Sequence, residues 1–153
     1  MATPVITWYK ANNIDQATKY DVGIVDAGSI SPDTTMLIWN NRGLQTDVSD
    51  MTSCTITTKD ISGGNSGEII TNTWIRVKVD SMQEQSFTPI GGTVTKEIRA
   101  AGAPAGVIKG TSNDGIAENS AMNFAKVTLH ANVPQIATAG NFDFITRVSY
   151  QYI

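Results

Sequence analysis

The sequence predicts an all-β chain: a single antiparallel β-sandwich, Ig-like or jelly-roll-like, with about seven to nine strands. Three observations carry this. Apolar residues recur with a two-residue period in several short runs. Gly-, Asn- and Pro-containing turn signals separate those runs. No stretch shows an apolar stripe at helical spacing. The 153 residues fit one domain spanning 1–153, long enough to bury roughly two-thirds of the unfolded surface. No linker, internal repeat or second domain is visible.

The first strand is expected at Val5-Ile6-Thr7-Trp8-Tyr9. Asn12 to Lys19 reads as a loop or a single helical turn. Val22 to Val25 is expected as a strand, ended by Ala27-Gly28-Ser29. After the Ser31-Pro32-Asp33 turn, Thr34 to Trp39 is almost continuously apolar, which marks a central strand. Asn40-Asn41-Arg42-Gly43 breaks it. Met51 to Lys59 alternates with Cys54 and Ile56 inward, and Ser62 to Gly67 reads as a flexible loop. Trp74 to Asp80 alternates most cleanly: Ile75, Val77 and Val79 point in, Arg76, Lys78 and Asp80 out. Thr93 to Ile98 is a further expected strand. Ala100 to Gly115 looks least ordered, a loop expected to order only on assembly. Phe124 to Val133 alternates again. The terminal run, Phe142 to Ile153, puts Phe142, Phe144, Val148, Tyr150 and Tyr152 on one side. Chain ends fray unless tied down, so this run is expected to be paired inside a sheet.

Composition narrows the function. Charged residues make up 16%, below the roughly 25% of an average protein, and Thr, Ser, Asn and Gly take their place. Such a neutral polar surface repels neighbours weakly and suits close packing in an assembly. The net charge of −3 and the scattered basic residues give no positive stripe, so nucleic acid is not an expected partner. No window approaches the ~18 apolar residues of a membrane span. The N-terminus has no charged leader before an apolar stretch, so no signal peptide is expected. A lone cysteine, Cys54, excludes an intrachain disulfide and reads as a small buried apolar residue.

Chemical motifs are sparse. His130 lacks zinc-ligand partners and reads as a surface histidine. Asn113-Asp114-Gly115 and Glu118 offer oxygens of the kind calcium takes, but the spacing fits a turn better than an EF-hand. In Gly102 to Thr111, Gly110 separates Lys109 from Thr111, which breaks the phosphate-loop signature. Asp47 and Asp50 read as solvated loop charges. With no Gly-x-Ser-x-Gly elbow, the chain is not expected to be an enzyme, and no cofactor or metal is implied. Trp8, Trp39 and Trp74 lie in strand-like runs, and Trp39 reads as core. Trp74 shares a side with Arg76 and Lys78. These three are the candidate contacts with a ligand or partner, because exposed indoles stack on sugars. Packing of Trp74 against a strand or loop is the competing reading.

At Asp21 to Ser29, at Ile38-Trp39-Asn40-Asn41 and at Phe144 to Tyr152, the chain resembles small virion proteins of tailed bacteriophages and of prophages of Gram-positive bacteria. Those are Ig-like β-sandwiches that decorate capsids, collars or baseplates. The resemblance implies a structural subunit, assembled in the host bacterial cytoplasm and located in the virion. It implies docking on other virion subunits in many copies or as a homo-oligomer, and brings no catalytic residue with it. The pieces expected to dock are Val5 to Tyr9 and the loops around Gly63-Gly64 and Gly102 to Gly115. The alternative function is a carbohydrate-binding module for surface attachment.

Overall fold

A computed structural model describes residues 1–153. It contains eight strands: β1 (Ile6–Lys10), β2 (Thr34–Asn40), β3 (Thr52–Asp60), β4 (Ile75–Val79), β5 (Thr88–Ile90), β6 (Lys96–Glu97), β7 (Phe124–Ala131) and β8 (Phe144–Gln151). One short helix, α1 (Glu68–Thr71), precedes β4; one 3-10 turn follows β4 and two precede β7. The strands form two antiparallel sheets, ordered β1-β2-β7-β4-β5 and β6-β3-β8. This is the β-sandwich the alternation predicts.

The two-residue period builds the core directly. Met36 and Ile38 of β2, Ala125, Val127, Leu129 and Ala131 of β7, and Ile75, Val77 and Val79 of β4 turn inward from the larger sheet. Cys54 and Ile56 of β3 meet them from the smaller one. Each isoleucine or leucine buried this way contributes about 1.5–3 kcal/mol relative to exposure. The β2 run is indeed central, lying between β1 and β7. Its second face is buried as well, which explains why the run is nearly continuously apolar.

Trp39 is fully buried but lies on that second face, outside the inter-sheet core. It packs on Phe124 with ring centroids 4.7 Å apart. Its indole N–H donates to Asn13 Oδ1 at 3.0 Å. Arg42 closes over the group, 3.8 Å above the Tyr9 ring, and donates to the same Asn13 oxygen.

Several expected elements differ. Val22 to Val25 forms no strand. Gly23 sits at φ +80°, its N–H bonded to the Asp21 carboxylate, so the run turns where a strand would stay extended. The Thr93–Ile98 strand contracts to Lys96–Glu97, because Gly91 and Val94 first close a tight turn on each other. Asn12 to Lys19 is a loop: the Asn12 side chain accepts the N–H groups of Ile14 and Asp15. The terminal run is paired, but on one side only, because β8 is an edge strand.

Ala100 to Gly115 is built into the fold and needs no assembly to order it. Ile108 exchanges both backbone hydrogen bonds with Met51, at 2.9 and 3.0 Å. Ala100, Ala103 and Val107 make a small buried cluster of their own. Asn40 and Asn41, both fully buried, clasp this segment. Asn40 accepts the Val5 N–H and donates to the carbonyls of Ser49 and Ile108. Asn41, at φ +62°, donates to the carbonyls of Thr46 and Gly110.

Candidate docking surface

The outer face of the larger sheet carries Arg76 and Lys78 of β4, set opposite His130 and Thr128 of β7. These two candidate contacts do share one face. Trp74 does not join them as a platform. It lies just before β4, is 4% exposed and belongs to the main core cluster. Phe142 meets its ring edge-on, with centroids 5.3 Å apart. The chain from the β7–β8 connection covers the indole, so no aromatic face is left for a sugar. Trp74 packs against a loop, the competing reading of this residue.

The face around Arg76 and Lys78 is partly closed by neighbouring segments. Asn132, with its amide oxygen turned to Arg76, accepts from both terminal guanidinium nitrogens at 2.6 and 3.2 Å. The Lys78 ammonium lies 3.8 Å from Asp80 and 5.3 Å from the Phe87 ring centroid. Phe87 also stacks on His130 at 3.8 Å. His130 is therefore a buried histidine, 7% exposed, and its expected surface position is corrected. It shares its strand face with Lys126 and Thr128 as the alternation predicts, but Phe87 folds back over it. Its Nδ1 lies 3.3 Å from the Asp33 carboxylate.

The loops single out other chemistry as architectural. Asp114 is bonded by the Ile116 N–H, the Asn119 amide and the Ser120 hydroxyl. These bonds, the Ile116 N–H foremost, hold its carboxyl below the usual carboxylate range. Asn113 accepts the N–H groups of Gly43 and Gly115, stitching two loops together. Asp50 pairs with Lys109 at 3.1 Å and accepts the Gly110 N–H; Asp47 accepts the Ser112 N–H. Both aspartates are loop charges open to solvent, as expected, and each also ties two loop segments together. Asp60 likewise accepts the N–H groups of Ser66 and Gly67 and the Ser66 hydroxyl, so the loop around Gly63-Gly64 is anchored. The Ser66 N–H is the main reason its carboxyl is held low. Cys54 is fully buried, and burial pushes its thiol up to about 12.

Strand edges are the remaining feature. β1 lies at one edge of the larger sheet, but Asp15 to Ala17 already occupy part of its free side. The Lys10 N–H donates to Asp15 O at 2.8 Å and the Ala17 N–H to Trp8 O at 2.9 Å. β8, eight residues long, pairs with β3 from Asp60↔Phe144 to Thr52↔Gln151. No backbone hydrogen bond joins it to any other segment. Its inward side, Phe144, Val148 and Tyr150, is only half-buried. Exposed apolar side chains gather at its two ends, Phe142 and Ile153, with Tyr152 beside the latter. Strand order is not written in the hydrophobic period, so this edge is missed from sequence. The one available signal is the polar odd-numbered set Arg147, Ser149 and Gln151 on a strand whose even-numbered set is apolar or Thr.

No protein-family model matches the chain, and no curated protein is similar to it in sequence.

Proposed function

We propose that this protein is a structural component of a bacteriophage virion, a tail, baseplate or collar accessory protein or a capsid decoration protein, acting by subunit–subunit docking. The observation that carries the docking part is the long free edge of β8, since an unpaired strand edge is a template for another chain. The low charge and the Thr-, Asn- and Gly-rich surface fit tight packing among copies. The virion itself enters through the resemblance at Asp21 to Ser29, Ile38 to Asn41 and Phe144 to Tyr152. Work of this kind is geometric: the sandwich holds an edge and several anchored loops in fixed relation, and assembly uses them as contact points.

Two experiments test the reading. The genes flanking this one are expected to encode capsid, portal or tail proteins. The purified chain is expected to co-sediment with one of those proteins and to give no signal on a glycan array. A chain that binds sugar and ignores every capsid and tail protein from the same genome contradicts the proposal.

A further inference from the structure

The free edge of β8 also points to a particular partner. We propose that β8 pairs antiparallel with β8 of a second copy of this chain, about a two-fold axis through Val148, joining the two three-stranded sheets into one continuous sheet. The inference rests on the docking reading above and names the partner at that edge.

The register follows from face and charge. Directly opposite residues in an antiparallel pair point to the same face. The inward side of β8 carries Phe144, Thr146, Val148 and Tyr150, the outward side Ile145, Arg147, Ser149 and Gln151. A one-residue slip would place the apolar set of one copy against the polar set of the other. The two-fold axis must therefore pass through a residue and not between two. For a strand running from Phe144 to Gln151, the two registers with greatest overlap centre on Arg147 and on Val148. Centring on Arg147 puts two guanidinium groups directly opposite each other, which is unfavourable. Centring on Val148 sets Arg147 against Ser149 and Ile145 against Gln151. On the inward side it sets Thr146 against Tyr150 and Phe144 against Tyr152. Arg147 is the only charged residue of the strand, so no like charges meet. The half-exposed Tyr152 gains an aromatic neighbour.

Cysteine pairs read this register directly. Arg147 and Ser149 are both exposed on the outward side, so replacing either leaves the core intact, and the native Cys54 is buried. Opposite residues about 4.5–5.5 Å apart suit a disulfide. An equimolar mixture of Arg147→Cys and Ser149→Cys is expected to form a disulfide-linked dimer under mild oxidation, while each variant alone stays unlinked. Linkage of Arg147→Cys with itself, or none in the mixture, overturns the proposal. Sedimentation equilibrium gives a second readout. The wild-type chain is expected to dimerise. Ser149→Lys, which faces Arg147 with like charge at two symmetric positions, is expected to weaken the dimer about 2- to 30-fold, and Ser149→Glu to tighten it over a similar range. Equal dimer strength in both variants counts against the register. A chain that stays monomeric yet binds a virion protein through β8 overturns self-pairing and leaves the docking reading standing. A dimer that binds no virion protein does the reverse.

Discussion

Every polar atom of the Asn40 side chain is bonded inside the protein, to Val5, Ser49 and Ile108. Asn40→Ala strands these partners in a dry interior, where each unsatisfied group is costly. The expected loss is about 2–4 kcal/mol in urea denaturation, and a loss below about 0.5 kcal/mol would contradict this role for the clasp. Gly110 makes a complementary case. A methyl group there would lie 2.3 Å from the carbonyl oxygen of Val48 and 2.5 Å from that of Ser49. Both contacts are backbone, so relief requires moving a segment, and Gly110→Ala is expected to cost about 3 kcal/mol, the upper end for overpacking. Cys54 offers a chemical check: its buried, high-pKa thiol is expected to resist a disulfide reagent at pH 8 until the protein unfolds, and rapid native-state labelling would show the interior open. At this scale the sequence tells less than it does of elements. Asn40 and Asn41 read locally as a strand terminator, which they are. Their partners lie up to 69 positions away, and no local pattern records them. His130 is misjudged for the same reason, and the choice between the two readings of Trp74 is left open by it: alternation gives the side of a strand, not what later folds over it.

Elements with their own alternation are legible, and elements defined by neighbours are not. β4 and β7 emerge from the period because both are central strands with one face on the core. β5, three residues with a proline, and β6, two residues, are too short to show a period. The Val22 run has strand-forming composition but no strand beside it to supply a ladder, and Gly23 turns it away. α1 is a single turn that buries Ile69 and Ile70, too brief for a stripe. The loop after β3 shows how a polar group organises an element. Asp60 holds Ser66 and Gly67, and its carboxyl is held below its ordinary value by these bonds. A depressed folded-state pKa means the carboxylate contributes stability above its unfolded pKa of about 3.9 and loses it as pH falls through the lower folded value. Asp60→Asn is therefore expected to flatten part of the decline in stability below about pH 4. An acid-unfolding curve identical to the parent in shape would remove Asp60 from this account.

For the whole molecule, composition and period suffice to name the two-sheet sandwich, and the far-ultraviolet circular dichroism is expected to be that of a β protein with little helix. Sheet order is a property of the assembled chain, so the placement of β8 at an edge emerges only from the structure. That placement shifts the candidate contact surface from Trp74, Arg76 and Lys78 toward the far sheet, although Arg76 and Lys78 keep a partly open face. The fold then supplies a rigid body with one unpaired eight-residue edge, and the proposed role is to fill that edge during assembly. Quantitative mass spectrometry of density-gradient-purified phage particles, produced from the genome that encodes this chain, tests the proposed role most directly. The chain is expected in the particles at a fixed, multicopy ratio to the major capsid or tail protein. Particles that are complete and infectious yet contain none of it would contradict the account.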